Sequence, residues 1–260
     1  MSNWRLLPLG IYNGYWNMAI DEAILNAVIQ EKSENTIRFY RWSPSTASIG
    51  RNQSLSREID MDFAERKGFQ VVRRITGGGA VFHDKEGEIT YSIICPIKIL
   101  ENLGAYKVLE QFEIITKGII AGLRSYGIKP QKGVIHCPAI FLDGKKFSGN
   151  AQLRKKGYLL QHGTILLDID PELMYSVLKA PPSVSKSRMV QSVRAKCIGI
   201  REKLEDGFNE EKLLKKLLRG FEQVLGITLE VGKLSKFEIE LAENLVKEKY
   251  SNPDWLRKYE

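Results

Sequence analysis

Three consecutive glycines, Gly77, Gly78 and Gly79, stand between two strand-like segments, "FQVVRRI" (69–75) and "GEITYSIICPI" (87–97). Dispensing with three side chains in a row permits positive φ and lets backbone N–H groups approach an anion or a flat ring; the competing reading is a tight hairpin with a bulge. No Gly-Lys-Ser/Thr follows, so this is not a P-loop, and the run on to Ala80, Val81 and Phe82 lacks the third glycine of a dinucleotide fingerprint. Arg73 and Arg74 precede the loop on a strand and so point to opposite faces. One of them can reach a phosphate or carboxylate placed over the loop, and the other is then structural. His83, next to Asp84, reads as hydrogen-bonded support for the loop, with a general-base role as the rival.

Around this loop the hydrophobic pattern changes period repeatedly. "YNGYWNMAIDEAILNAVIQEKS" (12–33) places Met18, Ala23, Ile24, Ala27 and Val28 at helical spacing, and "VLEQFEIITKGIIAGLRSYG" (108–127) predicts a long helix with a glycine stop. "TIRFYRW" (36–42) and "STASIGRN" (45–52) predict a strand pair broken at Ser43 and Pro44, and "DMDFAERKG" (60–68) a short helix ended by Gly68. Residues 139–170 alternate around a "DGKK" turn and an "RKKG" turn, the pattern of an antiparallel meander. The tail gives two helices, "NEEKLLKKLLRGFEQVLG" (209–226) and "SKFEIELAENLVKEKYS" (235–251), around a short strand, "ITLEVGK" (227–233). Mixed order without strict β–α alternation, and no internal repeat or linker, predicts an α+β fold in one domain.

Two further stretches bear on chemistry. Lys145 and Lys146 follow a turn in "DGKKFSGNAQ" (143–152) and point opposite ways, so one is solvated while the other can enter a pocket. The small residues beside them leave room for an ammonium, and Asn150 and Gln152 offer amides to a polar ligand. Three cysteines, Cys95, Cys137 and Cys197, are too few and scattered for a disulfide framework or a metal knuckle, which favours a reducing, cytoplasmic setting. Cys95 reads as core, whereas Cys137, between His136 and Pro138, is either an inert thiol or a nucleophile. No apolar run approaches the roughly 18 residues of a membrane span, and the first ten residues lack a signal peptide's apolar core. A net charge of +8 favours anionic partners without choosing among them. A nucleic-acid binder would interleave basic residues with exposed aromatics, but Phe39, Tyr40 and Trp42 sit in a buried-looking strand, so no nucleic acid is expected.

Taken together, "NMAIDEA" (17–23), "RFYRW" (38–42), "SIGRNQ" (48–53), "RRITGGGAVFHD" (73–84), "GKKFSGNAQ" (144–152) and "QHGTILLDID" (161–170) resemble the lipoate-protein ligase A family, which is grouped with octanoyltransferases and biotin protein ligases. The resemblance spans about residues 1–200. It implies a mixed, largely antiparallel sheet flanked by helices, like the class II aminoacyl-tRNA synthetase catalytic domain, over 1–260, with 206–260 a C-terminal helical extension packed on it in place of the family's usual separate C-terminal domain. It implies that the glycine loop wraps an acyl-adenylate and that Lys146 is the invariant lysine, neutralising phosphate and then carbonyl oxygen. The ligand-binding set it carries over is Arg73, Arg74, Thr76, Gly77, Gly78, Gly79, Val81, His83, Gly149, Asn150, Ala151, His162, Gly163 and Thr164, with no metal ligand assigned.

The activity expected from this likeness is lipoate-protein ligation. ATP with Mg2+ activates lipoate or octanoate, and the acyl group passes to a lysine of a lipoyl domain in a 2-oxoacid dehydrogenase complex or a glycine cleavage H protein, with no permanently bound cofactor and with a small accessory ligase subunit among the partners this likeness allows. The alternative is an octanoyltransferase that takes its acyl group from acyl carrier protein through a Cys137 thioester and needs no ATP. Gly79, in place of an arginine, and the short spacing from Cys137 to "DGKK" favour the ligase; "EITYSI" (88–93) and the Cys137 loop favour the transferase. A biotin protein ligase is disfavoured because its "GRGRxG"-type loop is replaced by "IGRNQS" (49–54).

Overall fold

The computed structural model describes residues 2–133, 139–204 and 207–260. The chain begins with β1 (Ser2–Tyr12), α1 (Gly14–Ile29), β2 (Thr36–Trp42) and β3 (Thr46–Ile49). Two short helices, α2 (Leu55–Glu58) and α3 (Met61–Arg66), lead to β4 (Gln70–Arg73), β5 (Val81–His83) and β6 (Glu88–Pro96). Then come α4 (Ile97–Asn102), α5 (Val108–Tyr126), β7 (Gln131–Lys132), β8 (Ile140–Leu142), β9 (Lys145–Ser148), β10 (Asn150–Lys155) and β11 (Tyr158–Leu166). The last third holds α6 (Pro171–Val177), α7 (Lys186–Lys196), a 3-10 turn (Ile200–Lys203), α8 (Glu210–Leu225), β12 (Ile227–Val231), α9 (Lys236–Leu245), a π turn (Val246–Tyr250) and α10 (Pro253–Leu256).

A six-stranded sheet, ordered β10-β11-β6-β2-β1-β12, forms the centre. Its β10, β11, β6 and β2 are antiparallel neighbours, whereas β2, β1 and β12 run parallel. The α+β expectation therefore holds, with a mixed sheet flanked by helices.

Alternation along the strands feeds two cores. Ile37 and Phe39 of β2, with Ile89, Tyr91, Ile93 and Cys95 of β6, pack with Ile115, Ile119, Leu213, Leu217 and Phe221 of α5 and α8. Tyr40, Trp42 and Ile94 face the other way, onto α1 and Ala242 of α9. β6 is buried along nearly its whole length because helices cover both faces, although Glu88, Thr90 and Ser92 alternate with its apolar residues.

A small sheet, β4-β3-β5, sits beside the large one over a third cluster built from α2, α3 and α6. Here the expected strand pair is corrected: β2 and β3 belong to different sheets. Pro44 offers no N–H to continue a ladder, and the chain turns there from one sheet to the other. The strand leaving the glycine loop is the short β5, not β6. Helices α6 and α7 were not legible in the hydrophobic pattern, since α7 buries only Val190.

The tail is tied to the rest by specific contacts. β12 extends the sheet alongside β1, and Arg5 of β1 pairs with the buried Glu238 of α9 at 2.5 Å. Among the described residues no helix is long and apolar enough to cross a membrane.

Candidate active site

In the small sheet β3 lies between β4 and β5, so the chain leaving β4 must arch over the end of β3 before it can begin β5. The glycines are in that arch. Gly50, the residue after β3, passes so close beneath it that a Cβ there would lie 2.0 Å from the Gly78 carbonyl oxygen. Gly78 itself has φ +98°, a conformation that side chains disfavour. Arg74 fastens the arch, donating to the carbonyls of Gly77 at 3.0 Å and Gly79 at 2.6 Å with one nitrogen and to Ser48 O and Oγ, both at 3.1 Å, with the other. Burial lowers the Arg74 pKa to about 10, with the Tyr40 phenol acting the other way.

Between this arch and the β6-β11-β10 part of the large sheet opens a cleft of about 320 Å³ with mostly apolar walls. On β9, Lys145 turns away to reach the Arg194 carbonyl at 3.3 Å, while Lys146 borders the cleft. A Cβ on Gly149 would lie 3.3 Å from Cε and Nζ of Lys146, so that bare position leaves the ammonium its space. Cys197 also borders the cleft; its backbone bridges to Lys146, and Ile198 N donates to Lys146 O at 3.1 Å. Burial raises the Cys197 thiol pKa, while Lys146, Lys196 and Lys145 pull it down. Cys95, by contrast, is pushed up to about 12 by complete burial and is inert core.

Two buried hydrogen-bond chains support the walls. In the first, Asp21 of α1 accepts from Arg38 (2.8 Å), Ser92 (2.8 Å) and Tyr40 (3.0 Å) and meets His162 Nδ1 at 3.3 Å; His162 Nε2 then contacts Thr76 Oγ1 at 2.7 Å. Burial would raise the Asp21 carboxyl, but Arg38, His162 and Ser92 more than offset it and hold it below its ordinary range. Burial, opposed by Asp21, lowers the His162 pKa. In the second, Ser48 Oγ lies 2.8 Å from His83 Nε2, and His83 Nδ1 lies 2.7 Å from Glu88 Oε1. The His83 ring is stacked on Trp42 with centroids 4.0 Å apart.

The cleft thus brings together Arg74, Gly78, Gly79, Val81, His83, Lys146, Gly149, Asn150, Ala151, His162, Gly163 and Thr164. Thr76 and Gly77 belong to the arch behind it. Arg73 lies elsewhere: its guanidinium donates to the carbonyls of Gly50, Arg51, Gln53, Trp255 and Leu256. Both arginines thus bond to the protein itself, Arg73 away from the cleft and Arg74 at its border. Gly163 faces Asn150 across the β10–β11 ladder, and a Cβ there would stand 2.0 Å from Asn150 Oδ1.

Cys137 lies outside the described residues. Sequence reasoning missed Ser48, Met174, Tyr175, Leu178 and Cys197 as wall residues. Ser48 carried a slight signal, a polar residue set between Ala47 and Ile49 in a short strand, whereas α6 had none before its place in the fold was known.

The Lipoyl protein ligase A/B catalytic domain model matches residues 13–222. The chain belongs to that family. Curated relatives match over almost the full length: "Octanoyltransferase LipM" of Geobacillus kaustophilus (strain HTA426) is 35% identical, covering 97% of each chain. The protein of that name from Bacillus subtilis (strain 168) is 32% identical, covering 98% of each. Among solved structures, a lipoate-protein ligase A bound with ATP shares the fold with TM-score 0.84 and 27% identity over 100% of both chains. The bi-partite lipoate protein ligase of Thermoplasma acidophilum, solved in work on that enzyme and its E2 lipoyl domain, gives TM-score 0.84 and 25% identity, covering 100% of this chain and 98% of that one.

These findings correct the expectation of an ATP-dependent ligase: the full-length curated relatives are named octanoyltransferases. The reason is physical. A lipoate-protein ligase A shares this fold over the whole chain, so the fold does not separate the two activities.

Proposed function

We propose that this chain is an octanoyltransferase, moving an octanoyl group from a thioester donor, acyl carrier protein, to the ε-amine of a lysine in a lipoyl domain. The full-length likeness to octanoyltransferases carries the reading. The cleft supports it: mostly apolar walls accommodate an alkyl chain, and the Lys146 ammonium stands at their polar edge.

An enzyme thiolate attacks the donor's carbonyl carbon, the tetrahedral oxyanion collapses, and the donor leaves as its thiolate. The neutral lysine amine then attacks the enzyme thioester, the enzyme thiolate departs, and the amine's extra proton is lost as the amide forms. Each oxyanion is stabilised by the fixed positive charge of Lys146. The thioester is already activated, so this chemistry calls on neither ATP nor Mg2+.

The thiol assigned to the acyl group is Cys137, which the family resemblance implies as the nucleophile. Cys197 is the second thiol to test, because the structure places it beside Lys146. In this reading residues 1–260 work as one catalytic domain, with 206–260 as its packed extension, in a reducing cytoplasm that keeps the thiol free. Gly78, Gly79, Asn150 and Gly163 shape the acyl site.

The test is to incubate the protein with octanoyl carrier protein without an acceptor, quench in acid and map the adduct. An octanoyl group on Cys137 or Cys197 supports the reading and names the nucleophile. A protein that transfers octanoyl while showing no thioester on either would overturn the thioester route.

A further inference from the structure

Ser48, His83 and Glu88 form a relay on the cleft wall that the transfer chemistry does not use. Counting donors fixes its direction. The Glu88 carboxylate only accepts, so His83 Nδ1 carries a proton; in the neutral ring Nε2 then accepts the Ser48 hydrogen 2.8 Å away, while Arg74 Nη1 donates to Ser48 Oγ at 3.1 Å. His83 Nε2 is then the bare nitrogen, and Nδ1–H donates to Glu88 Oε1 at 2.7 Å. This is the polarity of a hydroxyl nucleophile, its general base and the carboxylate that orients the base.

The parts are held rigidly. His83 is stacked on Trp42, Glu88 Oε1 also accepts from Thr90, and Ser48 and Glu88 are buried while Ser48 and His83 border the cleft. Arg74 adds a fixed positive charge beside the Oγ, on the side of the glycine arch.

We propose that this relay gives the protein a second, hydrolytic activity toward medium-chain acyl esters and thioesters held in the cleft. Ser48 Oγ bonds to the carbonyl carbon as its proton passes to His83 Nε2. The carbon–sulfur or carbon–oxygen bond breaks, and the leaving thiolate or alkoxide takes that proton. Water, deprotonated by His83, then cleaves the acyl-serine ester to give the free fatty acid, and the proton returns to Ser48. Arg74 stabilises the oxyanion in both halves. The activity would discard acyl groups that reach the cleft when no acceptor lysine arrives. Only the identity of the acyl group rests on the transferase reading.

The test uses p-nitrophenyl octanoate for turnover and a fluorophosphonate for labelling, both on the full chain. Wild-type protein is expected to hydrolyse the ester and to acquire a phosphonyl adduct on Ser48, with turnover falling as the adduct accumulates. Ser48→Ala is expected to lose the adduct and His83→Gln to slow labelling, each lowering turnover by roughly 100-fold or more. Folded wild-type protein without an adduct on Ser48, or Ser48→Ala hydrolysing at the wild-type rate, would overturn the proposal. The labelling needs no variant to fold. Neither probe involves a carrier protein or an acceptor, so failure here leaves the transferase reading standing, and failure of transfer leaves this one.

Discussion

Gly50 and the Gly78 carbonyl are packed so closely that the glycine arch rests directly on the end of β3, where a Cβ would come within 2.0 Å of the oxygen. The contact is to backbone, which cannot swing aside. Gly50→Ala is therefore expected to lift the arch, costing about 1–3 kcal/mol of stability by overpacking. Acyl transfer should fall by at least ~10-fold, because the same arch forms a cleft wall and a misplaced wall loses oriented binding. Thermal melting and transfer kinetics on the same sample check both effects; wild-type values for both would refute the arch's role.

The lysine pair separates charge at the cleft from charge at the surface. Lys146→Ala is expected to reduce acyl transfer by roughly 100- to 1000-fold, the usual cost of removing one oxyanion donor. Lys145→Ala should leave the rate within a few fold, since its ammonium donates to the Arg194 carbonyl away from the cleft and acts on the Cys197 thiol more weakly than Lys146 does. Steady-state kinetics of the two single variants decides the matter.

Stability should depend on pH through His162. Its pKa is lowered in the folded state, so the unfolded chain binds the extra proton first. The stabilising contribution is complete above the ordinary histidine value of about 6.5 and is lost as pH falls toward the lower folded value. Asp21, also lowered, adds a second loss only below the ordinary carboxylate value of about 3.9. Denaturant melts between pH 7 and 5 should show falling stability in the wild type and a shallower fall in His162→Asn.

Arg73 joins the β3 end and β4 to the C-terminal turn: it donates to the Trp255 and Leu256 carbonyls, and Trp255 Nε1 donates back to Arg73 O at 2.8 Å. Arg73→Ala should leave those carbonyls without their charged donor, costing about 1.5–3 kcal/mol. Hydrogen exchange over residues 253–257 should accelerate, whereas a purely cleft-directed role for Arg73 would leave that exchange unchanged.

The glycine run and the lysine pair were legible because each needs a rare residue pattern, and the long helices because their apolar spacing repeats. What was hidden depended on topology. That β3 intervenes between β4 and β5, so that Gly50 meets Gly78, cannot be read from a chain in which the two lie 28 positions apart. The Ser48–His83–Glu88 relay was hidden for the same reason: His83 looked like loop support until β3 and β5 were seen side by side. The ligase expectation failed because two short local features, Gly79 and the spacing from Cys137 to the lysine turn, were weighed where a ligase shares the fold and the full-length relatives are octanoyltransferases.

The central claim is best tested by the intact mass of an apo lipoyl domain after incubation with this protein, comparing octanoyl carrier protein without ATP against octanoate with Mg-ATP. One octanoyl group gained from the carrier protein alone is the expected result. Octanoylation only with octanoate and ATP would contradict it.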